Sequence, residues 1–369
     1  MSTIKVNEVQ PTAVGGGVKI DGLQMPTAGA LSNRNLIING AMTVAQRGTS
    51  FTNQTASGFG VDRFQYEISS AGTWTISQST DAPDGFVNSM KYDCTTANTS
   101  LGSTAQLYFL QKIEAQNLQH LAYGSSAAQA ITFSFYFKTN KTGVYTVELF
   151  QADSSRSIAF EMNVTQTGWQ RYQFTIPGDT AGTINNDNDI GLWCFVWLAV
   201  GSGFTSGTMN NGAWATGTQA NRLSSSQVNL ADSTSNECFF TGVQLELGEK
   251  ATPFEHRSYG DELARCQRYF IAIHDPRLRG VFNTAGTVNR VGLTLPTTMR
   301  QNPTYTTTGT YDIYDGSSIG TVTSFSASYT TKDSVEFDAS PATGSFTHQA
   351  PAIFYVHTST NQLNVDAEL

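Results

Sequence analysis

Charge is scarce in this chain: only 14% of its 369 residues are Asp, Glu, Lys or Arg, and the net charge is −8. No stretch gathers Lys and Arg into a basic stripe, which argues against nucleic acid or an anionic membrane surface as a partner. Long apolar runs are missing as well. The longest, IGLWCFVWLAV (190–200), is about half of the ~20 residues that a membrane helix needs, so no membrane insertion is expected. Cysteines are few, and Cys94, Cys194, Cys238 and Cys266 include no CxxC pair. Thiols so widely spaced do not suggest structural zinc, and a chain of this length needs no disulfide staple. Cys194, inside the apolar run, reads as a small buried hydrophobe. The opening MSTIKVNEVQPT lacks the apolar core of a secretory signal, so folding in a reducing cytosol is the expectation. The sequons at Asn53, Asn98, Asn140 and Asn163 then carry no glycosylation meaning. Nucleotide-binding fingerprints are missing too, and no segment sets a serine on a nucleophile elbow. No cofactor is expected.

What fills the chain instead is Gly, Thr, Ser and Asn between short apolar runs, with 11% aromatics. β-branched and aromatic residues suit a pleated surface, while Gly and Asn tolerate the positive φ of tight turns. Strand patterns recur at 64–69, 73–78, 105–113, 130–139, 143–152, 157–165, 169–176, 192–200 and 238–247. Ile131, Phe133, Phe135 and Phe137 alternate with polar positions and belong on one face. The segment LWCFVWLAV (192–200) is apolar in both phases, which predicts a central strand covered on both sides. About nine strands without a long amphipathic helix predict a jelly-roll β-sandwich over 31–258.

SYGDELARCQRYF (258–270) breaks the β pattern. Ser258 or Asp261 can cap a helix, acids precede bases, and Leu263, Cys266 and Phe270 form a narrow apolar stripe. A short helix is therefore expected to join the sandwich to a smaller C-terminal β-sandwich, the two together spanning 259–369. Residues 1–30 carry only the fragments IKVNEVQ and VKIDGLQM, too little for a core of their own. They read as a tail that gains structure by pairing with a partner or with copies of itself.

Candidate sites are few. The segment 201–222, GSGFTSGTMNNGAWATGTQANR, is the longest without strand pattern. Trp214 there offers a flat apolar face to a sugar ring, and Asn210, Asn211 and Gln219 offer paired donors and acceptors for hydroxyls. The competing reading folds Trp214 back onto the sandwich, where Trp is usually buried. Asp179, Asp187 and Asp189 surround the turn 177–191, but their spacing lacks the calcium-loop pattern, and a solvated turn accounts for Asp187 and Asp189 without metal. Trp169, Trp193 and Trp197 lie within predicted strands and read as core. His256 beside Glu255 invites acid–base chemistry, yet PFEHRS reads better as a domain-closing turn. In that turn Phe254 packs, and Arg257 pairs with Glu246 or Glu255.

Three segments resemble those of phage tail-fibre and virion structural proteins, especially from marine phages. STIKVNEVQ (2–10) with VKIDGLQMPTAGAL (18–31) is similar to their virion-proximal leader. NLIINGAMTVAQRGTSF (35–51) followed by GFGVDRFQYE (58–67) is similar to the opening of their main β domain. TGVQLELGEKATPFEHRSYGDELARCQRYF (241–270) is similar to the segment that closes it. The resemblance implies a homotrimeric virion appendage with jelly-roll domains like carbohydrate-binding modules. Residues 1–30 would then face other tail proteins. The function expected is structural and adhesive: a tail-fibre subunit, made in the host cytoplasm, that contacts a host surface glycan or protein receptor. The alternatives are a head fibre, decoration or adaptor protein with a purely structural role, and a glycan-degrading enzyme. The last needs paired carboxylates in a groove, which sparse acids disfavour.

Overall fold

The computed structural model describes residues 18–20, 23–25, 32–274, 276–282, 288–341, 346, 351–356 and 362–369. Most of the expected attachment segment, 1–30, lies outside them. Contacts divide the chain into two compact units, Met1–Tyr259 with Leu369, and Gly260–Glu368.

After a small hairpin of β1 (Lys19–Ile20) and β2 (Leu23–Gln24), the first unit continues through thirteen strands. These are β3 (Ser50–Gln54), β4 (Gly58–Phe59), β5 (Gln65–Ser69), β6 (Thr73–Ser79), β7 (Ser89–Thr96), β8 (Gln106–Glu114) and β9 (Ile131–Thr139). Then come β10 (Gly143–Gln151), β11 (Arg156–Val164), β12 (Gln170–Ile176), β13 (Ile190–Val200), β14 (Ala215–Thr216) and β15 (Glu237–Leu247). They form two antiparallel sheets, β14-β11-β10-β13-β8-β5-β4 and β12-β9-β15-β7-β6-β3. All nine strand segments read from the sequence are present, and the jelly-roll sandwich is the architecture. β7 lies outside the nine segments, although Met90, Tyr92 and Cys94, all buried, alternate with Lys91 and Asp93 as a half-buried strand should.

The period-2 pattern does what it should. Ile131, Phe133, Phe135 and Phe137 are each at most 1% exposed and share one core cluster. Phe240 on β15 stacks on Phe109 of the opposite sheet with ring centres 4.2 Å apart. Burying one such ring stabilises the fold by about 1.5–3 kcal/mol. In β15 the inward phase shifts from Cys238 and Phe240 to Val243 and Leu245, across a register break between Thr241 and Gln244. Gly242, at φ +60°, absorbs that bulge.

Residues of the segments 35–51 and 241–270 meet at one seam. Asn35 Nδ2 donates to the Val243 carbonyl (3.1 Å), and its Oδ1 accepts the Ile37 and Leu245 amides. Val243 N–H donates to the Gly40 carbonyl (3.0 Å), and a Cβ on Gly40 would land on the Val243 carbonyl oxygen. Asn39, at φ 61°, donates to the Val44 and Asp62 carbonyls and accepts the Thr43 and Val44 amides. Glu246 accepts from Gln244 Nε2 and from the amide and hydroxyl of Thr252. Glu255 accepts the Arg34 and Asn35 amides, and Arg257 donates to Glu255 and to the Asn35 and Ile37 carbonyls. The side chains at these positions therefore close the sandwich on itself.

The helix α1 (Tyr259–Gln267) begins within the predicted segment, with Asp261 and Glu262 in its first turn, Arg265 in its last and Cys266 buried. In the second unit, β16 (Phe270–His274), β24 (Gln362–Asp366) and β19 (Thr304–Thr308) form a three-stranded sheet. The strands β17 (Arg279–Phe282), β18 (Val288–Thr294), β22 (Ser334–Pro341), β21 (Ile319–Thr330), β20 (Tyr311–Tyr314) and β23 (Pro351–Val356) pair in a ring. Where strand pattern suggested a small sandwich, these six close into a barrel around Phe282, Ile313, Phe337 and Phe354. Closure depends on the β17–β23 pairing, across some 70 residues, which no local pattern encodes.

Candidate functional site

The seven-stranded sheet is apolar on its outer face as well as its inner one. Along β13, Leu192, Cys194 and Val196 enter the main core, while Phe195 and Trp197 join a second cluster with Tyr108, Leu110, Phe204 and Leu223, against which Trp193 packs. Register sets these side chains in rows: Phe150–Trp193–Lys112, Glu148–Phe195–Leu110 and Thr146–Trp197–Tyr108. Residues 201–229 fold over the last two rows. Phe204 and Leu223 are buried there, and the Arg222 guanidinium lies 5.1, 5.1 and 5.3 Å from the rings of Phe150, Phe195 and Trp197. Arg222 Nε and Nη2 donate to the Glu148 carboxylate at 2.6 and 2.8 Å, and Trp197 Nε1 donates to it at 2.9 Å. Burial pushes the Glu148 carboxyl above its ordinary range, against the lowering influence of Arg222. The central strand is thus covered on both sides, as its sequence predicts, and the cover is the polar segment 201–229.

That same segment holds the four residues proposed from sequence, two of them engaged by structural contacts and two exposed. Trp214 is half-buried and folded back: Nε1 donates to the Pro177 carbonyl (2.7 Å), and the ring meets Tyr123 edge-on at 5.9 Å. Asn210 uses its amide on Ser157 Oγ (2.9 Å) and the Thr216 carbonyl (3.1 Å). Asn211 and Gln219 are exposed. In the acidic turn, Asp187 Oδ1 accepts the Asp189 amide (3.0 Å), while Asp179 is buried against Arg156 and Gln151. Among the described residues no three His, Cys, Asp or Glu side chains converge as a metal site.

Reading the strand tryptophans as core holds for Trp197 and fails for Trp169 and Trp193, which are half-buried. Trp193 differs from the other four tryptophans in its polar atom. The indole N–H donates to Ala71 from Trp74, to Asp81 from Trp169, to Glu148 from Trp197 and to Pro177 from Trp214. Among the described residues, Trp193 Nε1 is buried with no hydrogen-bond partner, a state that costs about 1–3 kcal/mol. The ring stands beyond the covered rows, 6.0 Å from Phe150 and 5.4 Å from Phe195, with the Lys112 ammonium 5.2 Å from its centre. Gln65, opposite Leu110 on the same face, also has a buried amide oxygen with no partner among the described residues.

Other reactive-looking groups are absorbed by the fold. The His256 ring packs against Phe86 (5.2 Å) and Phe254 (4.8 Å) in the domain-closing turn. GSSIG (316–320) matches G-x-S-x-G, but it forms the β20–β21 hairpin, where Asp315 Oδ1 accepts the Ser317 and Ser318 amides and no helix follows. All four cysteines are buried outside any disulfide, and burial pushes the Cys94 thiol up to about 11.

No family model and no curated protein matches the chain. Among solved structures, it is similar to a family 4 carbohydrate-binding module at 15% identity and TM-score 0.27, over 57% of this chain and 98% of that one. A family 22 xylan-binding domain from Paenibacillus barcinonensis matches at 8% identity and TM-score 0.28, over 55% and 95%. A family 16 carbohydrate-binding module matches at 11% and 0.24, over 46% and 84%. Overlap this shallow fixes neither ligand nor site.

Proposed function

We propose that this chain is a non-catalytic adhesin of the phage tail-fibre type, which holds a neutral, hydroxyl-rich glycan at the uncovered end of the seven-stranded sheet. The observation that carries the reading is Trp193: an aromatic ring at the edge of an otherwise covered aromatic face, with its indole N–H unpaired. Sugar rings stack on such faces while their hydroxyls satisfy nearby donors and acceptors. A ligand stacking there would displace the Lys112 side chain, whose ammonium donates to the Leu369 carbonyl at 2.8 Å, and offer an acceptor to Trp193 Nε1. The buried carboxylates Glu148, Asp179 and Glu246 are each held by structural partners, which favours binding over hydrolysis.

The virion setting rests on the segment resemblance and on low surface charge, and it implies a trimer in which shallow sites act together. Light scattering should give three times the chain mass of 39.9 kDa; a mass of one chain at micromolar concentration overturns the trimer. Antibody labelling of intact particles should mark the fibres, and label on the head would move the chain to a decorating role. For the site, affinity electrophoresis in soluble xylan, β-glucan and mannan should retard the parent chain. Trp193→Ala should weaken that binding about 5- to 150-fold, the equivalent of losing a stacking contact of about 1–3 kcal/mol. Equal retardation of parent and variant overturns the assignment.

A further inference from the structure

On the opposite sheet, the register sets Lys138, Phe239, Lys91 and Ser77 in one outward-facing row across β9, β15, β7 and β6. The two ammonium groups bracket the Phe239 ring, 5.0 and 5.4 Å from its centre. Trp169, just before β12, meets Phe239 edge-on at 6.1 Å and remains half-buried. Its indole is fixed by Asp81: Nε1 donates to Oδ1 at 2.9 Å, while Lys138 Nζ donates to Oδ2 at 2.5 Å. Lys91 in turn pairs with Glu237 (2.7 Å) and Asp93 (3.5 Å).

In a chain with so little charge, five ionic side chains around one aromatic pair are a local concentration. Stability does not explain it, because the ions are 25–42% exposed and pairs of that kind contribute only about 0–1 kcal/mol each. What the arrangement does provide is a tryptophan held in one orientation beside fixed donors and acceptors. Preorganisation of this kind lowers the entropic cost of binding. Two lysines against three carboxylates leave the patch close to neutral, which suits hydroxyls better than an anionic sugar.

We propose that Trp169, with Asp81, Lys138 and Lys91, forms a second saccharide subsite on the six-stranded sheet, making each chain bivalent for neutral glycans. The inference rests on the proposed function for its ligand class alone, not for its residues. The test is affinity electrophoresis of the parent, Trp169→Ala, Lys138→Gln and Trp193→Ala in the same soluble xylan, β-glucan and mannan, with melting temperatures measured alongside. Trp169→Ala and Lys138→Gln should each weaken binding by about fivefold or more, and Trp169→Ala combined with Trp193→Ala should abolish it. Lys138→Gln, a polar replacement of a side chain 28% exposed, keeps the test decisive if Trp169→Ala unfolds. A parent bound by one of these glycans, with Lys138→Gln unchanged, overturns the second subsite and leaves Trp193 standing. A parent bound by none overturns both, and a preference for dextran sulfate over every neutral glycan overturns the ligand class.

Discussion

Replacing Arg222 with Met should destabilise the sandwich steeply at neutral pH and much less in mild acid. The Glu148 side chain is fully buried and Arg222 is 16% exposed, so the substitution leaves a carboxylate without its cation inside an aromatic cluster. Breaking a buried pair from one side costs about 3–5 kcal/mol. For a unit of this size each kcal/mol lowers the melting temperature by roughly 2–4 °C, giving a drop of about 6–20 °C. The sign of the pH effect follows from linkage. Burial already raises the Glu148 carboxyl above 4.5, and Arg222 opposes that rise. Without Arg222 the folded value climbs further, so the folded state holds a proton that the unfolded state has released. Stability from this group is then full below about pH 4.5 and is lost as pH rises through the folded value. Thermal melts of parent and variant from about pH 8 to 5 should show the gap narrowing toward acid. The double variant Glu148→Met/Arg222→Met should recover most of the loss, because hydrophobic replacements of buried pairs are often neutral. An unchanged melting temperature for Arg222→Met at neutral pH, or a gap that widens in acid, would refute the reasoning.

Other substitutions separate structural from binding roles. Trp214→Ala should lower the melting temperature, by less than the ~3–5 kcal/mol equivalent of a fully buried Trp, and leave glycan retardation unchanged. Gly40→Ala should destabilise by about 1–3 kcal/mol, because its Cβ meets the Val243 carbonyl oxygen; a chemical denaturation midpoint equal to the parent's would contradict the seam. Asp179 experiences desolvation, yet hydrogen bonds from Arg156 and the Ala181 and Gly182 amides outweigh it and hold the carboxyl below 3.8. Its contribution is present above about pH 4 and lost as pH falls through the folded value. Asp179→Asn should therefore be less stable at neutral pH and show a shallower acid limb in the same melts.

Much of the scaffold was legible because strand pattern is local: several of the nine segments announced their buried face by alternation, and 192–200 announced cover on both sides by being apolar in both phases. β21, running through TVTSFSASYT, offered Ser and Thr at both phases and went unread. Barrel closure was invisible for a different reason, since partner choice between β17 and β23 is a non-local property. The proposed site at Trp193 is not legible by the logic that finds the strands. Trp214 stood out in a polar loop, whereas Trp193 lay inside an apolar run and passed as core. Which indole N–H finds an acceptor is a tertiary fact: Trp197 meets Glu148 of the neighbouring strand, whereas Trp193 on the same face meets none among the described residues. The clustering of Trp193, Phe195 and Trp197 on one strand phase was the available signal, since a sandwich strand has only one face toward the core.

The central claim is open to a direct reading by fluorine NMR of protein labelled with 5-fluorotryptophan, whose five tryptophans give five resonances assignable by substitution. Titration with the retarding polysaccharide's oligosaccharides should shift the Trp193 signal, with Trp74, Trp197 and Trp214 unmoved. A Trp193 signal that stays fixed while Trp214 shifts would contradict the account and return the site to the 201–222 loop.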